Sequence, residues 1–256
     1  MTAQQFSGDL AGALFAESDL TGSLFREVDL GRSRFQGVML HDVEVDGDID
    51  GLVINGVRVD ELLRAELERR EPDRVLLRGR TVHELARGWE ACRERWVATE
   101  QLLDALPPEA ATTRVDGEWS ALETMRHLVF VTDAWFRRSV LGLPQPFSPW
   151  GLVPDWMEQT DVMGLSPAAS PTLAELCAVR AERSDELVEW FEQAGDDDLE
   201  LPGAWTDEPG FPADPSATTV GDALRMLLSE EFEHHRFCRR DLERGGWLRV
   251  DQGATR

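Results

Sequence analysis

From Leu10 to Val45 an apolar residue returns every five positions without a miss: Leu10, Phe15, Leu20, Phe25, Leu30, Phe35, Leu40 and Val45. Two positions before each stands a mostly small residue: Gly8, Ala13, Ser18, Ser23, Val28, Ser33, Val38 and Val43. Asp9, Asp19 and Asp29 precede every second Leu. A period of five fits neither the 3.6 of a helix nor the 2 of a strand. On a helix these side chains would scatter around the surface. All of them point inward only if each five residues form one side of a square coil.

This pattern resembles the pentapeptide-repeat family, whose fold is a right-handed quadrilateral β-helix with four repeats per coil. The resemblance implies a short β-helix of about two coils, with Phe25 and Leu30 in its interior. The phase decays through residues 46–59. Because solenoid units bury their faces only against neighbours, such a piece is expected to dock on the rest of the chain. It would serve either as a packing or solubility module or as a partner-binding face. Residues 60–71 read as a short charged helix, with Asp60 as a candidate N-cap and Pro72 as its stop. The expected organisation is a repeat module over 1–59, a linker helix over 60–80 and a helical domain over 81–256.

Length and composition narrow the function. The chain of 256 residues is long enough for one or two domains and for a core without disulfides. It contains no Lys and no Tyr, which excludes a Schiff-base lysine, a phosphate-loop lysine and a catalytic tyrosine. The net charge is -23 and the acids are spread along the chain, which argues against a nucleic-acid partner. Cys92, Cys177 and Cys238 are far apart and odd in number, so neither a disulfide framework nor a Cys-based zinc knuckle is expected. This usage fits a reducing cytoplasm. The N-terminus lacks the basic start and apolar run of a signal peptide, and no apolar run approaches the ~18 residues of a membrane span. The expected partner is a small-molecule substrate, with no nucleic acid and no membrane, and with homodimerisation left open.

Four helices are expected after residue 80. The first covers 82–106, with Thr81 and Glu84 in a capping-box pattern. The second covers 118–141 and is apolar on most faces, as in a bundle interior. The third covers 172–194, with Pro171 near its first turn. The fourth covers 219–244 and ends at Gly245-Gly246. The economical architecture is a mainly α four-helix bundle. Two long connections, 143–170 and 195–217, are rich in Pro and carry Phe147, Trp150, Trp156, Trp205 and Phe211. They are either lids or crossovers, or simply covers for the bundle ends.

In the fourth helix Leu224, Leu228, Glu231, His235, Cys238 and Leu242 follow the alternating four and three steps of a bundle seam. Glu231 and His235 thus stand where Leu is expected, and a buried carboxylate needs a partner. A metal is one such partner, and the i,i+4 spacing puts both side chains on one face. The neighbouring stripe Leu227, Glu230, His234, Phe237 runs into Asp241 and reads as half exposed. His127, in the apolar stretch of the second helix, completes a set of three, which leaves coordination positions open as catalytic metal sites require. Two His and one carboxylate suit Zn, Ni, Mn or Fe, and the residues do not choose among them. Glu123, one turn before His127, is either a proton carrier or outer-sphere acceptor, or a structural hydrogen-bond partner. Cys238 reads as a small apolar residue. His41 and His83 read as surface residues.

Residues 81–245 resemble the DinB-like family of metal-binding four-helix bundles. The carrying segments are EWSALETMRHLVFVTDAW (118–135) and EEFEHHRFCRRDL (230–242). Trp119, Ser120, Glu123 and His127 match the family's first ligand region, and aligning His-His-Arg places the last ligand at His235. The remaining ligand falls on Glu231, a departure from a three-His site. The resemblance implies one divalent metal held by His127, Glu231 and His235; Glu123, one turn before His127, is the candidate catalytic residue by its position. It further implies a low-molecular-weight thiol, mycothiol-like, used by an S-transferase or isomerase, or else hydrolysis of a small electrophile. The alternatives are a binding protein that recruits a partner through its acidic repeats, with a structural or vestigial metal site, and a metal-free sensor of small ligands.

Overall fold

A computed structural model of the protein describes residues 5–26, 28–47, 49–154, 157 and 160–248. The chain divides into two compact units, Met1–Ile49 and Asp50–Arg256. In the first, a tight turn recurs every ten residues. The N–H groups of Ala13, Ser23 and Ser33 donate to the carbonyls of Leu10, Leu20 and Leu30 at 3.0, 3.0 and 3.1 Å. Gly12, Gly22 and Arg32 take the left-handed conformation, with φ of 78°, 73° and 61°, that the second central position of a type II turn demands. Asp9, Asp19 and Asp29 each accept an N–H two residues on, at 2.9, 3.0 and 2.7 Å, which is why an Asp precedes every second Leu.

The expected β-helix with an enclosed interior is not found. Among the described residues of this unit there is no strand, and Phe25 and Leu30 are 54% and 46% exposed. Eight five-residue repeats offer too few neighbours to stack on, and the large apolar side chains of this unit stay exposed. The five-residue phase survives only as partial burial, since the off-phase Leu14 and Leu24 are 87% and 74% exposed.

The second unit opens with a hairpin, β1 (Val53–Ile54) and β2 (Val57–Arg58), paired antiparallel. Its two-residue loop, Asn55-Gly56, has positive φ at both positions, as a type I′ turn needs. Helix α1 (Asp60–Arg70) follows. Asp60 is not its N-cap, as expected, but its first residue. The buried carboxylate of Asp60 accepts from Gly51 N–H at 3.1 Å and from the Arg58 guanidinium, which ties the hairpin to the helix. A 3-10 segment, Pro72–Arg78, leads into the bundle.

The bundle helices are α2 (Val82–Ala105), α4 (Ala121–Thr132), α5 (Leu173–Gln193) and α6 (Val220–Arg244), with the short α3 (Pro108–Thr112) between the first two. Helices α2 and α4 each pack on both α5 and α6, which closes a four-helix bundle of the expected kind. Three of the long helices start with a reciprocal capping box: Thr81–Glu84, Ser120–Glu123 and Thr172–Glu175. On α6, Leu224, Leu228, Glu231, Cys238 and Leu242 are all buried, so the expected seam does face the core.

The two long connections are tied to α4 and its π-helical continuation, Asp133–Arg138. Buried Arg126 donates to the carbonyls of Trp150 and Ser166, both at 2.9 Å. Arg138, fully buried, donates to Pro144 and Glu208 carbonyls, one in each connection, at 2.8 and 2.6 Å. Phe147 is buried and Phe211 packs on Phe130 and Trp135, whereas Trp205 is exposed; Trp156 lies outside the described residues. These connections therefore cover one part of the bundle with fixed carbonyls rather than hanging as loose loops.

The contrast between the units predicts unequal sensitivity to truncation. Leu228→Ala removes a side chain that is 1% exposed and should cost about 2–5 kcal/mol in denaturant unfolding of the bundle. Phe25→Ala, at a half-exposed position, should cost about 1 kcal/mol. Equal losses would mean that the repeat unit carries a buried core after all.

Candidate metal centre

His127 is presented by α4, one turn after the capping box of Ser120 and Glu123 has fixed the helix start. The ring is buried, and its Nδ1 lies 3.0 Å from the Leu152 carbonyl of the 143–170 connection. Across from it, α6 presents Glu230 and His234, one turn apart on one face. His127 Nε2 is 3.6 Å from Glu230 Oε2. The His127 and His234 ring centres are 4.7 Å apart, and one ligand atom from each of the three residues lies within 4.8 Å of the others. His234 Nδ1 is 3.0 Å from the carbonyl of Glu230, in its own helix. The Trp119 ring covers both imidazoles, at 4.9 Å from His127 and 6.4 Å from His234, and Phe237 stands edge-on to His234 at 5.9 Å.

The electrostatics favour a neutral imidazole beside an ionised carboxylate. Burial, together with the nearby His127, pushes the His234 pKa down to about 4. Burial acts to raise Glu230, but the two histidines beside it, His127 and His234, outweigh that and hold it below the usual carboxylate range. Donors in this state suit a divalent cation. Bonds of about 2.1 Å at tetrahedral angles separate donor atoms by about 3.4 Å, close to the His127–Glu230 spacing. Three protein donors leave further positions open.

The expected set His127, Glu231 and His235 is not brought together: only His127 is in the cluster. Glu231, at 1% exposure, faces α5 and is gripped by Arg180, with Nη2–Oε2 at 2.8 Å and Nη1–Oε1 at 3.2 Å. Arg180 in turn lies over the Trp96 ring at 4.9 Å. The partner that a buried Glu231 requires is therefore an arginine. His235 Nε2 is 2.9 Å from Thr99 Oγ1 on α2, and its ring stands edge-on to Trp96. Consecutive residues on a helix point about 100° apart, so a step of one residue moves the pair from α4 to the α2–α5 side. Glu123 is occupied structurally: it accepts from Ser120 N–H at 2.9 Å and pairs with Arg114 at 2.6 Å. His41 and His83 are exposed, as expected.

The stripe that does form the cluster, Leu227–Glu230–His234–Phe237, was visible in the sequence but carries an acid at its end. Asp241 is buried and its carboxylate is paired with Arg240 at 2.7 Å, so the acid does not mark an exposed face.

A family model described as the DinB superfamily matches residues 91–238, more than half of the chain, and the chain belongs to that superfamily. The matched span contains His127, Glu230 and His234. The superfamily includes metal-dependent enzymes and often binds a divalent metal. No curated protein and no solved structure matches the chain. Among the described residues no helix is long and apolar enough to cross a membrane.

The assignment of Glu231 to Arg180 is open to direct test. Glu231→Ala leaves the buried Arg180 guanidinium with only the longer Glu100 contact at 3.6 Å and should destabilise the fold by about 3 kcal/mol. The double change Arg180→Met with Glu231→Leu should recover most of that loss in the same denaturant titration. A double variant no more stable than Glu231→Ala would contradict the pairing.

Proposed function

We propose that the chain is a divalent-metal-dependent enzyme acting on a small electrophile, with His127, Glu230 and His234 as its metal ligands. The observation that carries this reading is the convergence of two imidazoles and one carboxylate from α4 and α6, inside the segment that matches the DinB superfamily. A bound divalent ion would lower the pKa of a thiol or a water and so supply a nucleophile at neutral pH.

The chain's own groups prepare that chemistry. Nδ1–H of His127 donates to Leu152, which leaves its Nε2 lone pair for the ion, while His234 Nδ1 lies 3.0 Å from the Glu230 carbonyl and 3.2 Å from Glu230 Oε2. Glu230 brings the one negative charge among the three ligands. Trp119 and Phe237 limit water around the imidazoles.

The nucleophile comes from outside the protein. Burial pushes the Cys238 thiol up to about 12 and the Cys177 thiol up to about 11, and raises Cys92 as well. None of the three is a thiolate at neutral pH. With no Lys and no Tyr in the chain, an exogenous low-molecular-weight thiol, or water, is the reagent this site would activate. The three free cysteines also support a reducing, cytoplasmic setting.

A second reading concerns residues 5–47. Their in-phase apolar row is half exposed, which favours use of this unit as a partner-binding face.

Elemental analysis of tag-free protein should find about one divalent metal per chain. His127→Ala, Glu230→Ala and His234→Ala should each abolish that binding, and His235→Ala should retain it. Loss of metal in His235→Ala with retention in His234→Ala would return the site to the Glu231–His235 face and overturn this ligand assignment.

A further inference from the structure

We infer that Arg126 is a positioning residue for the metal centre: by clasping the 143–170 connection it holds the Leu152 carbonyl on His127 Nδ1, which fixes the tautomer that offers Nε2 to the metal. The inference rests on the ligand assignment proposed above.

Arg126 is adjacent to His127 in α4 and is itself only 6% exposed. Its guanidinium is spent on backbone oxygens. Nε donates to Trp150 at 2.9 Å, Nη2 to Ser166 at 2.9 Å, and Nη1 to Pro167 at 3.3 Å. The Arg126 carbonyl also accepts the N–H of Leu152 at 3.2 Å. The connection is thus held at both sides of Leu152, whose carbonyl faces His127 at 3.0 Å. Burying a guanidinium is costly unless its donors are satisfied, and a planar five-donor fork can span several carbonyls where a Lys could not.

The two histidines differ in what orients them. His234 Nδ1 is held by a carbonyl of its own helix, four residues back. His127 Nδ1 depends on a distant segment, which Asp133 and Arg137 hold at Ser148 and Pro146 and which the Arg126 side chain clasps nearest to Leu152, at Trp150. Loss of the clasp should therefore disturb one ring and spare the other. A neutral imidazole whose tautomer is free to exchange presents N–H rather than a lone pair to the metal for part of the time.

The test is 15N NMR of the imidazoles in metal-free full-length protein at pH 8.5, with zinc affinity measured separately by chelator competition. In the wild-type protein both His127 and His234 should carry the proton on Nδ1. In Arg126→Gln, His127 should become a tautomer mixture while His234 is unchanged, and zinc affinity should fall about 10–100-fold. Arg126→Lys should not restore either. An unaltered His127 tautomer and unaltered zinc affinity in Arg126→Gln would overturn the inference. If that variant fails to fold, the wild-type spectrum decides: a His127 protonated on Nε2 overturns it, and an Nδ1 proton with hydrogen-bond coupling to the Leu152 carbonyl supports it. Wild-type protein with that coupling but no zinc binding would instead overturn the ligand assignment and leave the clasp standing.

Discussion

One buried ion pair holds a carboxylate within the core-facing row of α6. Glu231 lies in a row with Leu224, Leu228, Cys238 and Leu242, all turned into the core. An unpaired carboxylate there would cost several kcal/mol, and the Arg180 guanidinium on α5 removes that cost with two hydrogen bonds. Trp96 supports the pair from α2, with its face under Arg180 and its indole N–H donating to the Glu231 carbonyl at 3.2 Å. Once that row faces α2 and α5, the next stripe has to face α4. It carries Glu230 and His234, and α4 meets it with His127.

That geometry separates two jobs that a single motif, Glu-Glu-x-Glu-His-His, could have performed in either register. The inner acid and histidine join the bundle's helices to one another: Glu231 to α5, His235 to Thr99 of α2. The outer acid and histidine stay near the surface, with Glu230 and His234 side chains 30% and 20% exposed. A reactive metal site needs such a boundary position, because open coordination positions must be reachable. The long 143–170 connection then supplies what the helices lack, a backbone carbonyl against His127.

Much of the fold is legible in the residues. The starts of α2, α4 and α5 are written as Ser/Thr-x-x-Glu, and the seam of α6 as alternating steps of three and four. His127 stands out because it interrupts an apolar helix. The site's other half is harder to read, because Glu230–His234 and Glu231–His235 have identical spacing. The choice between them turns on Arg180, one of two arginines on α5, and nothing local distinguishes it from Arg183. A burial argument alone favours the inner pair for the metal, since it asks what could neutralise Glu231 and omits a cation from another helix. In the N-terminal unit the period of five is equally plain, and so are the Asp-led turns. Local spacing sets those turns but not an interior, which takes more stacked layers than eight repeats provide.

The outer stripe of α6 is the proposed home of the metal. The most direct measurement is an anomalous difference map from a crystal soaked in zinc. One strong peak is expected about 2.0–2.2 Å from His127 Nε2, a Glu230 carboxylate oxygen and an imidazole nitrogen of His234, with Glu231 still bound to Arg180. A peak beside Glu231 and His235, with Arg180 displaced, would contradict it, as would crystals in which His127, Glu230 and His234 bind no zinc at all.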